Sequence, residues 1–208
     1  GYICDELYPE DISDPLKNQI ILALTNNISA SHDSLESTRL AIKALPNAVP
    51  YASQNFKVAA ERDYIMEKIF IACESPDEEV REFALNTLQE VGTQQYESVE
   101  IYFKQICVVT AAAANSESNK VGAQAFEFWT TLAEDEQNRI VKGLPCKNYM
   151  AACKTDLLQL IFEGLLKITF EEDEDDDEWG HSLSAACCLQ RLSVLLGNDL
   201  MDPVVSYV

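Results

Sequence analysis

Eight acids run without a break from residue 171 to residue 178, and a tryptophan closes them: Glu171, Glu172, Asp173, Glu174, Asp175, Asp176, Asp177, Glu178, Trp179. Carboxylates that dense repel one another, so any chemistry they do depends on a counterion. Three readings stand side by side: a solvated spacer, a cation site, and a docking strip for a basic protein surface. A calcium loop of the EF-hand kind alternates its ligands and turns on a glycine, and this run does neither. Two features favour docking. The run is short and held between apolar segments at Leu165-Leu166 and Leu189. Trp179 can pack on an arginine stem or cap a core.

The other reactive side chains point to no catalysis. His32 and His181 are the only histidines, and each stands alone. Seven cysteines (Cys4, Cys73, Cys107, Cys146, Cys153, Cys187 and Cys188) have no C-x-x-C spacing, and most lie in apolar runs. That is the pattern of free, buried thiols in a reducing compartment. A glycine-rich phosphate loop and a G-x-S-x-G elbow are both missing from the sequence. No enzyme activity, cofactor or metal is expected. Phe128 and Trp129 sit at helical spacing, where large aromatics are usually core.

The totals set the partner class. The chain has 208 residues, 47% of them hydrophobic, and a net charge of −20. Only eight of those charges lie in the run, so the remaining surface is acidic too. Nucleic acid and anionic membranes are held by Lys and Arg, so neither is an expected partner; basic peptides and basic protein patches are. No apolar run reaches the roughly 18 residues of a membrane span, and no signal-peptide pattern is read. The chain opens on "GYIC" without a methionine and stops on "PVVSYV" in mid-segment, which suggests part of a longer protein. Asn27-Ile28-Ser29 is read as a chance sequon.

The elements that must position these residues are helices. "LKNQIILALTNNIS" places Leu16, Ile20, Leu24 and Ile28 on one predicted face. "ERDYIMEKIFIACES", "EEVREFALNTLQEVG" (stopping at Gly92), "YESVEIYFKQICVVTAAAA", "VGAQAFEFWTTLAEDE", "YMAACKTDLLQLIFEGLLKIT" and "SLSAACCLQRLSVLL" follow. No strand-type alternation is sustained. The helical pattern also repeats. "PDEEVREFALNTL" and "SNKVGAQAFEFW" share a V-x3-A-x3-large frame, their valines 41 residues apart, and "STRLAIKAL" holds the frame 42 residues upstream of Val80. "EWGHSLSAACCLQRL" returns to it late, after the acidic run. Two helices per period of about 40–47 residues is the mark of HEAT repeats, in which stacked pairs bury what one pair cannot. The prediction is an all-α, right-handed α-solenoid of antiparallel helix pairs, with repeats at about 5–48, 59–92, 96–134 and 147–197 and the acidic loop at 171–178. Asp77 is the expected N-cap, with Arg81 placed to pair with it or with an acid of the preceding repeat.

Four segments in order, "GYICDELYPED", "ERDYIMEKI", "FEFWTTLAEDE" and "EDEDDDEWG", resemble the N-terminal half of importin-β, the nuclear import karyopherin, along nearly the whole chain. The resemblance implies the end of a fourth HEAT repeat through an eighth, and a receptor shuttling between cytoplasm and nucleus. Its implied partners are phenylalanine-glycine (FG) nucleoporins, the GTP form of the small GTPase Ran, and an importin-α-type adaptor or basic nuclear localisation signals.

By the same resemblance, nucleoporin contacts fall on Ile21, Leu22 and Thr25 of one helix and on Glu61, Tyr64 and Ile65 of the next. A one-residue insertion upstream leaves the first helix's register open by one. Thr25 and Tyr64 stand where the family pattern has an aliphatic residue and a Phe. The acidic run from Glu171 to Trp179 would contact Ran, and Glu127 and Trp129 would lie on the cargo face, with Glu134, Asp135 and Glu136 adding attraction for a basic signal. The alternative is a HEAT scaffold or chaperone that shields basic clients.

Overall fold

The computed structural model describes residues 9–30, 34–167 and 180–205. All regular structure among them is helical. Eight long helices run as α1 Asp14–Thr25, α2 Leu35–Ala48, α3 Ala59–Cys73, α4 Glu78–Gln94, α5 Tyr96–Ala114, α6 Asn119–Lys142, α7 Tyr149–Leu166 and α8 His181–Leu196, with a short α9 at Met201–Val205. The chain forms two compact units, Gly1–Phe103 and Lys104–Val208, which divide within α5.

In the first unit α1 packs on α2, α3 on α4, and α2 on α4. Each odd helix therefore pairs with the next, and the even helices of successive pairs lie against each other. Ile42 and Leu45 of α2 meet a core that includes Val80, Ala84 and Leu88 of α4, all essentially inaccessible. Ala84 permits the close approach its position in the repeat frame suggested.

A second link crosses the same two helices at their polar edge. Asp77 is the N-cap of α4 and accepts from the Val80 amide at 3.0 Å. Its carboxylate is also held by the Arg39 guanidinium of α2, with Nε on Oδ1 at 3.3 Å and Nη2 on Oδ2. Glu79 extends this link to Arg39 at 3.7 Å and to Lys43 at 3.8 Å. Arg81 instead donates to the carbonyls of Ser75 and Pro76. The inter-repeat ladder thus runs through Arg39, because its side chain reaches forward by one whole repeat.

Two local expectations are corrected. The buried face of α1 is Ile21 and Thr25, continued by Ile28, whereas Leu16 is 47% exposed. Thr25 can occupy that face because its hydroxyl donates to the Ile21 carbonyl at 2.8 Å, leaving only the methyl to be packed. Gly92 does not stop α4, which continues to Gln94 with Gly92 buried inside it.

In the second unit α7 packs on α8, and α8 lies along α6. Helix α6 runs on to Lys142, beyond the boundary placed at 134, and is ended by Gly143 at φ 64, where the Gly143 and Leu144 amides return to the Ile140 and Arg139 carbonyls. Helix α7 begins on Asn148, which has φ 57 and makes no side-chain cap. The buried Glu136 carboxylate of α6 caps it instead, accepting from the Tyr149 amide at 2.6 Å and the Met150 amide at 3.2 Å.

Glycine permits two of these approaches. A Cβ on Gly164 would stand 2.8 Å from the Phe126 ring, and one on Gly122 only 1.9 Å from His181 Nδ1. The His181 ring is buried and meets Phe126 edge-on at 5.2 Å. Burial first, then the nearby Lys167 charge, lowers its pKa to about 4.

Expectations for stability follow at three residues. Asp77→Ala should cost about 1 kcal/mol from the cap alone and more through the stranded arginine, read by urea unfolding. Hydrogen bonding from Arg39, the largest effect, lowers the Asp77 carboxyl pKa. The gap between native and Asp77→Asn should therefore be full above the ordinary aspartate value, ~3.9, and close as pH falls through the lowered one. For His181, the unfolded ring titrates near ~6.5 and the folded ring near about 4. The unfolded chain then takes up the proton first, so stability is intact above that unfolded value and lost as pH falls toward the folded one. His181→Leu should flatten that part of a melting-versus-pH profile. Gly122→Ala should cost about 1–3 kcal/mol, partly recovered when His181 is also shortened to Ala.

Candidate binding surfaces

The six residues assigned to nucleoporin contact divide into two groups. Ile21, Thr25 and Ile65 are closed inside the first unit, while Leu22 is 41% exposed, Glu61 is exposed and Tyr64 is partly so. Helical geometry explains the division. On α1, residues 21 and 25 share the face turned to α2, and residue 22 is rotated away from it. On α3, Ile65 begins the inward stripe continued by Ile69 and Ala72; Glu61 stands one turn before it, in the exposed first turn, and Tyr64 flanks it.

The structure brings the two helices together at Tyr64. Its hydroxyl donates to Oδ1 of Asn26, the residue that ends α1, at 2.7 Å. Lys68, one turn further along α3, holds its ammonium 5.2 Å from the Tyr64 ring centroid. Toward the start of α3, Asn55 Nδ2 donates to Asn18 Oδ1 at 2.7 Å and to Glu61 Oε2 at 2.9 Å. Beside that bridge an open groove of 530 Å³ is lined by Lys17, Asn18, Tyr51, Lys57, Val58 and Glu61, among others.

Asn18, Asn26 and Asn55 were not singled out from the sequence. A signal was nevertheless present: the bridging pairs Asn18–Asn55 and Asn26–Tyr64 are 37 and 38 residues apart, close to the repeat period. A third cross-repeat cluster joins α3 to α5. Arg62 Nε donates to Tyr102 Oη at 3.0 Å, and the Tyr102 hydroxyl donates to Asp63.

The predicted cargo face is corrected in part. Trp129 is 3% exposed, and its Nε1–H donates to Thr110 Oγ1 at 3.2 Å. It meets the buried Phe128 ring edge-on at 5.0 Å. Both rings are core, so Trp129 offers nothing to the surface. Glu127 is partly exposed. The acids beyond it are engaged within the unit: Glu134 with Arg191 at 2.7 Å, Asp135 with Arg139 at 2.6 Å, and Glu136 in capping α7. A 270 Å³ groove lies between α6 and α8, where Ala133, Glu134, Gln137 and Asn138 face Arg191 and Val194.

The acidic run, Glu171 through Trp179, lies outside the described residues. Lys167 and His181, before and after that stretch, meet the end of α5 and the first turn of α6 respectively. Lys167 Nζ donates to the carbonyls of Ala114 and Ser116 at 2.7 and 3.2 Å, capping the end of α5. His181 lies against Gly122, in the first turn of α6.

Burial raises the pKa of four cysteine thiols: Cys107 and Cys153, and Cys73 and Cys188 to about 12. A thiol at that value is almost entirely protonated near neutral pH. No group of three or more His, Cys, Asp or Glu side chains able to hold a metal ion occurs among the described residues. No described helix is long and apolar enough to cross a membrane.

No family model matches the chain. Known proteins do. Importin subunit beta-1 of Arabidopsis thaliana is 27% identical over the whole chain, and that of Schizosaccharomyces pombe is 26% identical over the same span. The chain spans about a quarter of the length of these relatives, 25% in each case. Among solved structures, yeast importin-β (Kap95p) superimposes with a TM-score of 0.89 over 99% of the chain at 25% identity, covering 25% of that protein. The Kap95:Nup1 complex gives 0.87 over 99% of the chain at 25% identity, again covering 25% of the matched chain. A Kap95p structure in which its binding switches the loops of RanGDP to the GTP-bound conformation gives 0.81 over 90% of the chain at 25% identity, covering 23% of the matched chain. Along its whole length, then, the chain is importin-β-like in both sequence and fold.

Proposed function

We propose that this chain is a binding segment of a nuclear import receptor, holding nucleoporin FG repeats on the first unit and basic partners, Ran-GTP among them, through its acidic residues. The observation that supports the reading is the match in fold, over 90–99% of the chain, to Kap95 structures, one with Nup1 and one with Ran. Leu22 and Tyr64 supply the exposed apolar surface that a phenylalanine needs. Burying one Phe ring contributes roughly 1.5–3 kcal/mol before ordering costs. Each contact is therefore weak, and tandem FG repeats would act by avidity.

The net charge of −20 suits basic cargo, an importin-α-type adaptor and a basic face of Ran. Attraction of that kind speeds encounter and falls with salt. The function requires no cofactor and no chemical step. The cell address that goes with it is cytoplasm and nucleus, with passage through the pore. A HEAT scaffold shielding basic clients is the second reading, supported by the same acidity.

Fluorescence or NMR titration with an FxFG peptide separates the two. The transport reading expects weak saturable binding, at a Kd of roughly a millimolar or somewhat below, abolished when both phenylalanines become serine and weakened in Tyr64→Ala. Binding of basic clients without any FxFG response would favour the scaffold.

A further inference from the structure

The last turn of α6 and the bend that follows it carry an apolar surface that the fold leaves open. Ile140 is 50% exposed, Val141 75% and Leu144 51%. Single exposed apolar residues are ordinary; three of them from 140 to 144 on one folded turn make a patch. The backbone there is tightly shaped. The Gly143 amide returns to the Ile140 carbonyl at 3.1 Å and the Leu144 amide to the Arg139 carbonyl at 2.8 Å. Arg139 then braces the bend, its Nη1 donating to the Pro145 carbonyl at 3.3 Å while its Nε holds Asp135 at 2.6 Å. Leu144 is thereby drawn back to the end of α6 and still stays at the surface.

The charge around this knob is the reverse of the chain's. From residue 137 to residue 155 the sequence has Arg139, Lys142, Lys147 and Lys154 and no carboxylate, in a chain with 35 acids. Lys142 and Lys147 are both exposed. A lysine at the end of a helix suits its negative pole, which accounts for Lys142. Nothing local calls for Ile140, Val141 and Leu144. Helices α7 and α8, which pack on α6, are in place and leave them uncovered. In a stacked array each pair touches only its neighbours, so a distant repeat would not cover them either.

We propose that this knob is a docking surface for a short amphipathic segment of another protein, one that carries apolar side chains beside carboxylates. The apolar side chains cover Ile140, Val141 and Leu144, and the carboxylates meet Lys142 and Lys147. The proposal goes beyond the import reading: its ligand has the opposite charge to the basic partners and uses no nucleoporin contact. Charge selects the occupant. Screening confines the pull of the lysines to about 8 Å at physiological salt, so a small acidic ligand responds to them rather than to the chain's net charge of −20. A flat anionic membrane engages a far wider surface, and this chain's surface is acidic. The braced backbone also lowers the cost of ordering the receptor side.

The intact 208-residue chain is titrated with a fluorescent peptide of leucines and glutamates in helical spacing. A second peptide carries lysine in place of every glutamate. The expected result is saturable binding with a Kd on the order of 100 µM, weakened by salt and lost with the lysine peptide. Val141→Ser and Leu144→Ser should each weaken it about threefold, and Lys142→Glu combined with Lys147→Glu about tenfold. Leu40→Ser, at a 63% exposed leucine of the first unit, should leave it unchanged. All these side chains lie at the surface, and melting confirms that each variant folds. Binding that ignores the substitutions at 141, 142, 144 and 147, or that the lysine peptide matches, overturns the proposal, as does no binding at millimolar peptide. Two other results overturn it by naming a different occupant. Sedimentation with phosphatidylserine vesicles that Leu144→Ser abolishes, without a peptide response, assigns the knob to a membrane. Dimerisation that Leu144→Ser abolishes, again without a peptide response, assigns it to a second copy of the chain.

Discussion

A helix pair in this chain has more apolar surface than it can cover by itself, and the fold follows from that shortage. Helix α4 shows it most plainly. Val80, Ala84, Leu85, Leu88 and Val91 are all buried, on more than one side of one helix, because α4 receives α3 of its own pair and α2 of the preceding pair. Helix α8 is in the same position between α7 and α6. Small residues set how close the layers come, and Gly122 and Gly164 mark where even a methyl group is too large. The polar links are secondary in energy and decisive in register. Arg39 to Asp77, Asn55 to Asn18 and Tyr64 to Asn26 each span one repeat, so a slip by a single residue would break them together.

The same demand for coverage decides what is left for binding. Residues such as Ile21, Thr25 and Ile65, which the family resemblance assigns to a ligand, are buried within the first unit instead. Glu136 and Asp135 carry charge that would attract a basic partner, yet one closes the start of α7 and the other holds Arg139. Of the six residues assigned to nucleoporin contact, Leu22, Glu61 and Tyr64 are the ones left at the surface. A surface made this way would bind weakly at any one point and gain strength by repetition, as the proposed function requires.

Much of this was legible in the sequence, because the repeat frame is written in residues that do structural work. Val80, Ala84 and Leu88 recur as Val121, Ala125 and Trp129, and all six are buried. The N-cap at Asp77 was legible for the same reason. The rest was hidden where side chains act against type. Thr25 is polar by name and fully buried, because its hydroxyl turns back onto its own helix, and this rotated the predicted face of α1. Gly92 looked like a stop and is helix interior. Glu136 read as surface charge, since nothing local announces that a helix starting on Asn148 will lack its own cap. Trp129 satisfied its indole through Thr110 of another helix, which no spacing within α6 could reveal. The cross-repeat pairs lay 37 to 40 residues apart, visible only once the period is applied to polar residues as well as apolar ones.

The central claim is that nucleoporin-type ligands meet this chain at the junction of α1 and α3. Amide hydrogen exchange, measured with and without a saturating excess of FxFG peptide, tests it most directly. The account predicts slowed exchange confined to the end of α1 and the first turns of α3, with α6 to α8 unchanged. Protection appearing on α6 to α8 instead, or none anywhere at saturation, would contradict it.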